Sequence, residues 1–333
     1  MGKAFIKDLA YYVPECVIRN EDIVSKFPEW SVEKIFEKVG VDSRRFAIDQ
    51  TATDLAIAAA ERLFSQNRIL KESVDFILFC TQSPDYKLPP SACIIQDKLG
   101  LSHSCGAFDF NLGCSGYEYG LAVAKGLVVS NIASNILLLT AETYSKYLHP
   151  SDKGNQTIFG DGASATIISA DGFAEIGEFV LGTDGSGANN LILKTGGAKH
   201  PDKKNDLSFD DNGNPISSDY LYMNGSEIFV FTLNVVPKML KDVLDKNHIA
   251  KENIDLYIFH QANKYMLEHL KKKLKIDSHK FFVNLEKVGN TVSSTIPIAL
   301  CDARNQNRLH GNVLLAGFGV GLSWGSTILN FEV

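Results

Sequence analysis

Two stretches that recur at a nearly constant separation constrain this chain more than any single motif. Lys71-Glu72-Ser73-Val74-Asp75-Phe76-Ile77-Leu78-Phe79-Cys80 returns 180 residues later as Lys251-Glu252-Asn253-Ile254-Asp255-Leu256-Tyr257-Ile258-Phe259-His260. Asn135-Ile136-Leu137-Leu138-Leu139 returns 177 residues later as Asn312-Val313-Leu314-Leu315-Ala316. Each is a short apolar run after a polar entry, the pattern of a strand buried on both faces. Two matches at almost one offset point to a duplicated unit, with chance likeness between buried strands as the competing explanation. The 333 residues suffice for two units of about 150 each, and the expected division is 1–172 and 173–333.

Between these runs, strands alternate with helical spacing. The first half reads as a helix over 51–64, a strand over 74–82, a helix from about Ser91, a strand over 107–110, a helix from Cys114 and a strand over 136–140. The second half reads as a helix near 225–244, a strand over 256–260, helices from Asn263 and from Asn290, and closing strands near 313–317 and 323–331. Such alternation implies an α/β protein with mixed, largely parallel sheets and two halves about a pseudo-two-fold axis. The polar segment 196–218 reads as an inserted surface loop.

Composition narrows the function classes. A net charge of -6 disfavours nucleic acid, which requires clustered basic surface. No run approaches the roughly 18 apolar residues of a membrane span, and the start has no apolar core after Lys3, so export and insertion are not expected. Ile6 stands where myristoylation wants Ser or Thr. Cys16, Cys80, Cys93, Cys105, Cys114 and Cys301 form no CxxC pair, which fits a reduced intracellular chain without disulfides. The histidines lack metal-ligand spacing, and Asp210-Asp211-Asn212-Gly213-Asn214 lacks that of a calcium loop; no metal site is expected.

Three positions could carry chemistry. Phe108-Asp109-Phe110-Asn111-Leu112-Gly113-Cys114-Ser115-Gly116 runs from a strand into a helix that is apolar nearly all round, placing Cys114 at the positive end of a buried helix. That setting should lower the thiol pKa and make a nucleophile, although a buried cysteine is also a common small core residue. His260 ends a strand beside Gln261-Ala262-Asn263, at the sheet edge where open α/β proteins place ligands; it stands where the first copy has Cys80. Gly289-Asn290-Thr291-Val292-Ser293-Ser294 opens the counterpart of the Cys114 helix, with Asn290 as an N-cap, a catalytic amide, or both. Gly317-Phe318-Gly319-Val320-Gly321-Leu322-Ser323-Trp324-Gly325 is a glycine-rich turn that fits neither a dinucleotide fingerprint nor a phosphate loop. It could bring backbone N–H groups to a reacting oxygen, or simply close a hairpin.

At these residues the chain resembles the β-ketoacyl-acyl-carrier-protein synthase III family of the thiolase superfamily over essentially its whole length. The motifs are Lys38-Val39-Gly40-Val41 with Arg44, Asn111-Leu112-Gly113-Cys114-Ser115-Gly116, Phe159-Gly160-Asp161-Gly162-Ala163, Met223-Asn224-Gly225-Ser226-Glu227, His260-Gln261-Ala262-Asn263, Gly289-Asn290-Thr291 and Gly317-Phe318-Gly319. The resemblance implies a five-layer αβαβα fold, a cytoplasmic homodimer, and a triad of Cys114, His260 and Asn290. It implies that Cys114 takes an acyl group from a thioester, with the N–H groups of Cys114 and Val320 receiving the oxyanion. A malonyl thioester then loses carbon dioxide, its enolate held by His260 and Asn290, and condenses with the acyl group in fatty acid, acyl or polyketide synthesis. No metal or redox cofactor is implied; the substrates are coenzyme A or phosphopantetheine thioesters. Lys38, Lys153, Phe159, Met223, Gly225 and Asn263 are implied in binding them, and Gln261, Lys264, Tyr265 and Lys272 in docking acyl carrier protein.

Several positions depart from the housekeeping pattern. Lys38, Lys153 and Tyr265 stand where arginines are common, and Trp30 lies about four residues further upstream than a Trp stacking on adenine would. Leu88-Pro89-Pro90 replaces a segment that often carries a pocket-closing Phe, and Val320 replaces a glycine. These changes point to a primer other than acetyl. An acyltransferase of the same fold that omits decarboxylation is the alternative. A papain-like protease shares the order Cys, His, Asn but would have Trp after the nucleophile. A degradative thiolase would need a second C-terminal cysteine, and an elongating synthase a second histidine in place of Asn290. A non-catalytic subunit would not need all three triad residues.

Overall fold

In the computed structural model, residues 2–66, 68–211 and 213–331 are described. The repeated runs form the same pairing twice. Phe76–Cys80 lies parallel to Asn135–Glu142 with Phe76 opposite Ile136, and Leu256–Phe259 lies parallel to Asn312–Gly319 with Leu256 opposite Val313. These are the residue pairs that the offsets of 180 and 177 relate. Each inner strand has a further parallel neighbour, Gly106–Phe110 in the first half and Phe281–Phe282 in the second.

The sheet runs continuously through both copies. From the second half its order is Phe281–Phe282, Leu256–Phe259, Asn312–Gly319, Ser323–Asn330 and Ala174–Ile176. It continues through Phe5–Tyr12, Gly162–Ser169, Asn135–Glu142, Phe76–Cys80 and Gly106–Phe110. The short Ala174–Ile176 strand joins the halves, pairing with both Phe5–Tyr12 and Ser323–Asn330.

Five layers follow from alternation along the strands. Ile77, Phe79, Leu137 and Leu139 face the helices Ala52–Phe64 and Ser91–Leu99, packing on Leu55, Ala59, Leu63 and Ile95. The intervening Leu78, Ile136 and Leu138 face the opposite way, onto Tyr117, Leu121 and Val128 of Gly116–Val129. In the second half Leu256, Ile258, Val313 and Leu315 face that same middle layer, which includes Ile296 and Leu300 of Thr295–Asn305. Tyr257, Phe259, Leu314 and Ala316 turn outward onto Gly225–Asn247 and Lys264–Leu274. Two helices therefore lie sandwiched between the sheet halves, which is why Gly116–Val129 is apolar nearly all round.

Some boundaries differ from the sequence reading. The helix expected from Cys114 begins at Gly116, with Ser115 as its N-cap. The helix expected from Asn290 begins only at Thr295, after a 3-10 turn over Val292–Ser294, so Asn290 is not its N-cap. Asn263, by contrast, caps its helix, its side chain accepting from the Met266 N–H at 2.9 Å. The polar 196–218 segment is largely exposed and holds a small hairpin, Ser208–Phe209 with Pro215–Ile216. Of the acidic turn at 210–214, Asn212 lies outside the described residues.

The middle layer depends on a size match across the sheet. A methyl group at Gly120 would stand 2.5 Å from Leu138 Cδ1. Leu138→Ala is therefore expected to lower unfolding free energy by about 2–5 kcal/mol, and Gly120→Ala by about 1–3 kcal/mol. The double variant should lose less than the sum, because each change makes room for the other. Strict additivity in denaturant titrations would refute this packing.

Candidate active site

Cys114 sits in the turn between Gly106–Phe110 and the middle-layer helix, closed by a Gly116 N–H to Gly113 O bond of 2.7 Å. The turn joining the last two strands comes down upon it. A Cβ at Gly319 would lie 2.7 Å from Cys114 Sγ, so only a glycine lets this backbone come so near. The backbone N–H groups of Val320 and of Cys114 itself favour the thiolate form of the sulfur. These are the two donors expected to receive an oxyanion.

His260 extends its strand by one residue, its N–H donating to Ala316 O at 2.8 Å. Its ring meets Phe318 edge-on, with centroids 5.9 Å apart, and its Nδ1 lies 2.7 Å from Thr295 Oγ1. Thr295 Oγ1 also lies 3.1 Å from Val292 O. Asn290 is fixed through its backbone to 158–160, donating to Ile158 O at 2.9 Å and accepting from the Gly160 N–H at 3.0 Å. Asn290 Oδ1 accepts from the Val292 N–H at 2.9 Å, which leaves the Nδ2 end for the cavity.

Val292 is buried in the left-handed region at φ 56°, a costly conformation for a β-branched residue. Its N–H holds the Asn290 amide and its carbonyl faces the hydroxyl that touches His260. Cys114, His260 and Asn290 line one narrow cavity of ≈ 60 Å³ together with Phe159, Met223, Gly225 and Asn263.

Burial governs the electrostatics. Desolvation raises the Cys114 thiol to about 12, and the buried carboxyls of Glu142 and Glu118 add to the rise, although the two N–H donors pull the other way. The expectation of a lowered thiol pKa is thereby corrected: at the buried mouth of this helix, loss of water outweighs the donors. Desolvation also pushes His260 down to about 3, so its imidazole is neutral at pH 7. Glu142 is raised to about 8 by burial even though Gln82 N–H, Ser83 Oγ and Ser293 Oγ donate to it. Glu118 is wholly buried without a hydrogen-bond partner on either oxygen, and burial raises its pKa well above the usual carboxylate range.

Other expected residues fall in different places. Lys38 lines a groove of ≈ 380 Å³ with Trp30 and Lys34, and Ile158 borders both this groove and the cysteine cavity. Trp30 is thus beside Lys38 despite its sequence displacement. Lys153 is ion-paired with Glu29 and lies over the Phe27 ring. Lys264, Tyr265 and Lys272 are exposed on Lys264–Leu274, and Tyr265 packs on Phe229 and His269. Gln261 does not belong with them. It is 1% exposed, donates to Phe259 O at 2.6 Å and accepts from the Asn284 N–H at 2.7 Å, so it holds the loop after His260 rather than a docking partner. Leu88 is 81% exposed on its loop.

Thr295, Val292, Glu118 and Gln82 were missed from sequence. Thr295 stands one residue past the 289–294 stretch that the sequence singled out, and Val292 within that stretch reads only as part of a helix start. A Glu on the apolar face behind Cys114 was the available signal for Glu118. Among the described residues, no cluster of three or more His, Cys, Asp or Glu could hold a metal, and no helix is long and apolar enough to cross a membrane.

Two family models match the chain: 3-oxoacyl-[acyl-carrier-protein] synthase III over residues 108–185 and the C-terminal part of that enzyme over 244–331. A β-ketoacyl-[acyl-carrier-protein] synthase III of Clostridium perfringens is 36% identical over 332 residues, covering 99% of each chain. One from Fusobacterium nucleatum is 37% identical over 333 residues and 98% of each. A crystal structure of a 3-oxoacyl-(acyl-carrier-protein) synthase III superposes with a TM-score of 0.96 at 47% identity, covering 99% of this chain and 100% of that one.

The partnerless carboxyl gives a pH test. Because the folded pKa of Glu118 is raised, the folded chain keeps a proton that the unfolded chain releases. Its contribution to stability is complete below the unfolded carboxylate pKa of about 4.3 and is lost as pH rises toward the folded value. Glu118→Gln removes this dependence, so its Tm relative to the parent should rise between about pH 5 and pH 8. A difference that stays flat across that window would show that Glu118 does not hold the proton.

Proposed function

The chain belongs to the β-ketoacyl-[acyl-carrier-protein] synthase III family, and on that premise we propose that it condenses an acyl group loaded on Cys114 with malonyl-acyl carrier protein, releasing carbon dioxide. The observation that carries the reading is that Cys114, beneath the glycine turn at Gly319, lines one cavity with His260 and Asn290.

In the first step the sulfur attacks a thioester carbonyl while His260 Nε2 takes the thiol proton. The oxyanion rests on the N–H groups of Cys114 and Val320. The C–S bond of the donor breaks, and the departing thiolate recovers the proton from His260. A neutral thiol beside a neutral imidazole suits this order, since charge develops only as the bond forms. In the second step the malonyl C–C bond breaks to carbon dioxide and an enolate, which accepts hydrogen bonds from His260 Nε2–H and Asn290 Nδ2. The enolate carbon attacks acyl-Cys114, the C–S bond breaks, and the sulfur leaves as a thiolate that takes a proton from solvent. Apart from one proton taken from solvent, these groups and the two thioesters supply every proton and electron pair, and no change of oxidation state calls for a redox cofactor.

His260 must offer a lone pair in one step and a hydrogen in the other, and the Thr295 hydroxyl supports this. Its single proton can face Val292 O, so that Nδ1 keeps its hydrogen and Nε2 is free. It can instead face Nδ1, which leaves the hydrogen on Nε2. The groove of Trp30 and Lys38, meeting the cavity at Ile158, is the proposed pantetheine and nucleotide path. Exposed Lys264, Tyr265 and Lys272 are the proposed carrier surface, since carrier proteins are acidic. The homodimer, the cytoplasmic setting and a primer other than acetyl belong to the same proposal.

Intact-mass detection of acyl-Cys114, followed by addition of malonyl carrier, tests it. Loading and carbon dioxide release are both expected, with Cys114→Ala losing loading and Asn290→Ala cutting release by about two orders of magnitude, more than it slows loading. Thr295→Val should slow both steps and Thr295→Ser restore them. Loading without carbon dioxide release would leave acyl transfer alone. Separately, Lys272→Glu should raise the KM for malonyl carrier at low salt with little effect on kcat; an unaltered KM would remove Lys272 from the docking surface.

A further inference from the structure

A second chamber, of ≈ 530 Å³, meets the cysteine cavity at Tyr144 and Leu191, which line both, and it is also bordered by Val320, the residue after the Gly319 that rests on Cys114. Gly113, next to the nucleophile, shows how near its wall comes. A methyl group there would stand 2.6 Å from Gln82 Oε1 and 2.5 Å from Val320 Cγ1. An acyl carbonyl held by the N–H groups of Cys114 and Val320 has two sides. One side would face His260 and Asn290, which share the cavity of Cys114, and the chamber beyond Tyr144 and Leu191 is the space on the other. The acyl chain therefore belongs in the chamber.

The inner wall of that chamber carries polar groups. Tyr144 Oη donates to Gln82 Oε1, Gln82 Nε2 donates to Asn111 Oδ1 at 2.9 Å, and Tyr147 Oη donates to Gln82 O at 3.1 Å. These bonds align the groups but do not use them up. One hydrogen on Gln82 Nε2, the Asn111 Nδ2 hydrogens and lone pairs on both phenol oxygens remain for a ligand. Covering such groups with a plain alkyl chain would strip their water without replacing its hydrogen bonds, which disfavours binding. The same wall would reward a chain that carries oxygen.

We propose that the primer is a short acyl group with a hydroxyl or oxo substituent, whose oxygen is bound by Gln82, Asn111 and Tyr144. This rests on the reading that Cys114 is acylated, and it goes beyond it by naming the chemical class of the acyl group. Leu191 and Val320 make the apolar contacts along the chain, and the polar trio selects the substituent.

The test compares initial rates of Cys114 acylation in the full chain by butyryl-, 3-hydroxybutyryl- and octanoyl-pantetheine, followed by intact mass. The hydroxyacyl thioester is expected to load at least about tenfold faster than butyryl, and Gln82→Leu to lower that ratio at least about tenfold. Should Gln82→Leu fail to fold, because its backbone N–H serves Glu142, Asn111→Leu and Tyr144→Phe read the same ratio at other members of the trio. Butyryl or octanoyl loading as fast as the hydroxyacyl group, or a ratio unmoved in the variants, would overturn the substituent site and leave the acylation reading intact. Loading by none of the three would overturn the acylation reading itself, and this proposal with it.

Discussion

The left-handed backbone of Val292 is the constraint on which the site depends. A single strained residue directs its N–H to the Asn290 carboxamide and its carbonyl to the hydroxyl touching His260. The strain is tolerable because the segment is held on both sides. Upstream, Asn290 is bonded to the 158–160 backbone, where a Cβ at Gly160 would strike Val288 O at 2.2 Å. Downstream, the Thr295–Asn305 helix is locked in the middle layer. Without this turn, the amide and the imidazole would each need a separate support.

Burial provides the second condition. Removing water raises the thiol and lowers the imidazole, so the resting pair is neutral and charge arises only with substrate present. Fixed N–H donors then act on developing charge in a medium that screens it poorly, where each is worth more than in water. The same dryness leaves Glu118 protonated behind the nucleophile, a destabilising group that the packed middle layer carries.

Much of the fold was legible because its signals are local. The runs at 76–80 and 256–259 are apolar over one strand length, and their partners at 136–140 and 313–316 recur at matching distance, so even the register could be anticipated. Cys114, His260 and Asn290 stood out because strand ends and helix starts leave compositional marks. Element starts were less legible. The Asn290 helix was read five residues early because 290–294 is rich in the Asn, Thr and Ser that favour helix starts, while the backbone spends those residues on a turn. Gln261 was misread because its polarity suggests surface, whereas its amide closes buried backbone bonds.

The sequence by itself determined the duplicated α/β framework and the three candidate residues Cys114, His260 and Asn290, because strand length, helical spacing and glycine placement act between near neighbours. Only the tertiary structure decided the burial of Cys114 and His260, the contact of Thr295 with His260, and the polar wall formed by Gln82, Asn111 and Tyr144. Each of these depends on groups brought from different strands and turns and on the water they exclude, neither of which has a pattern along the chain.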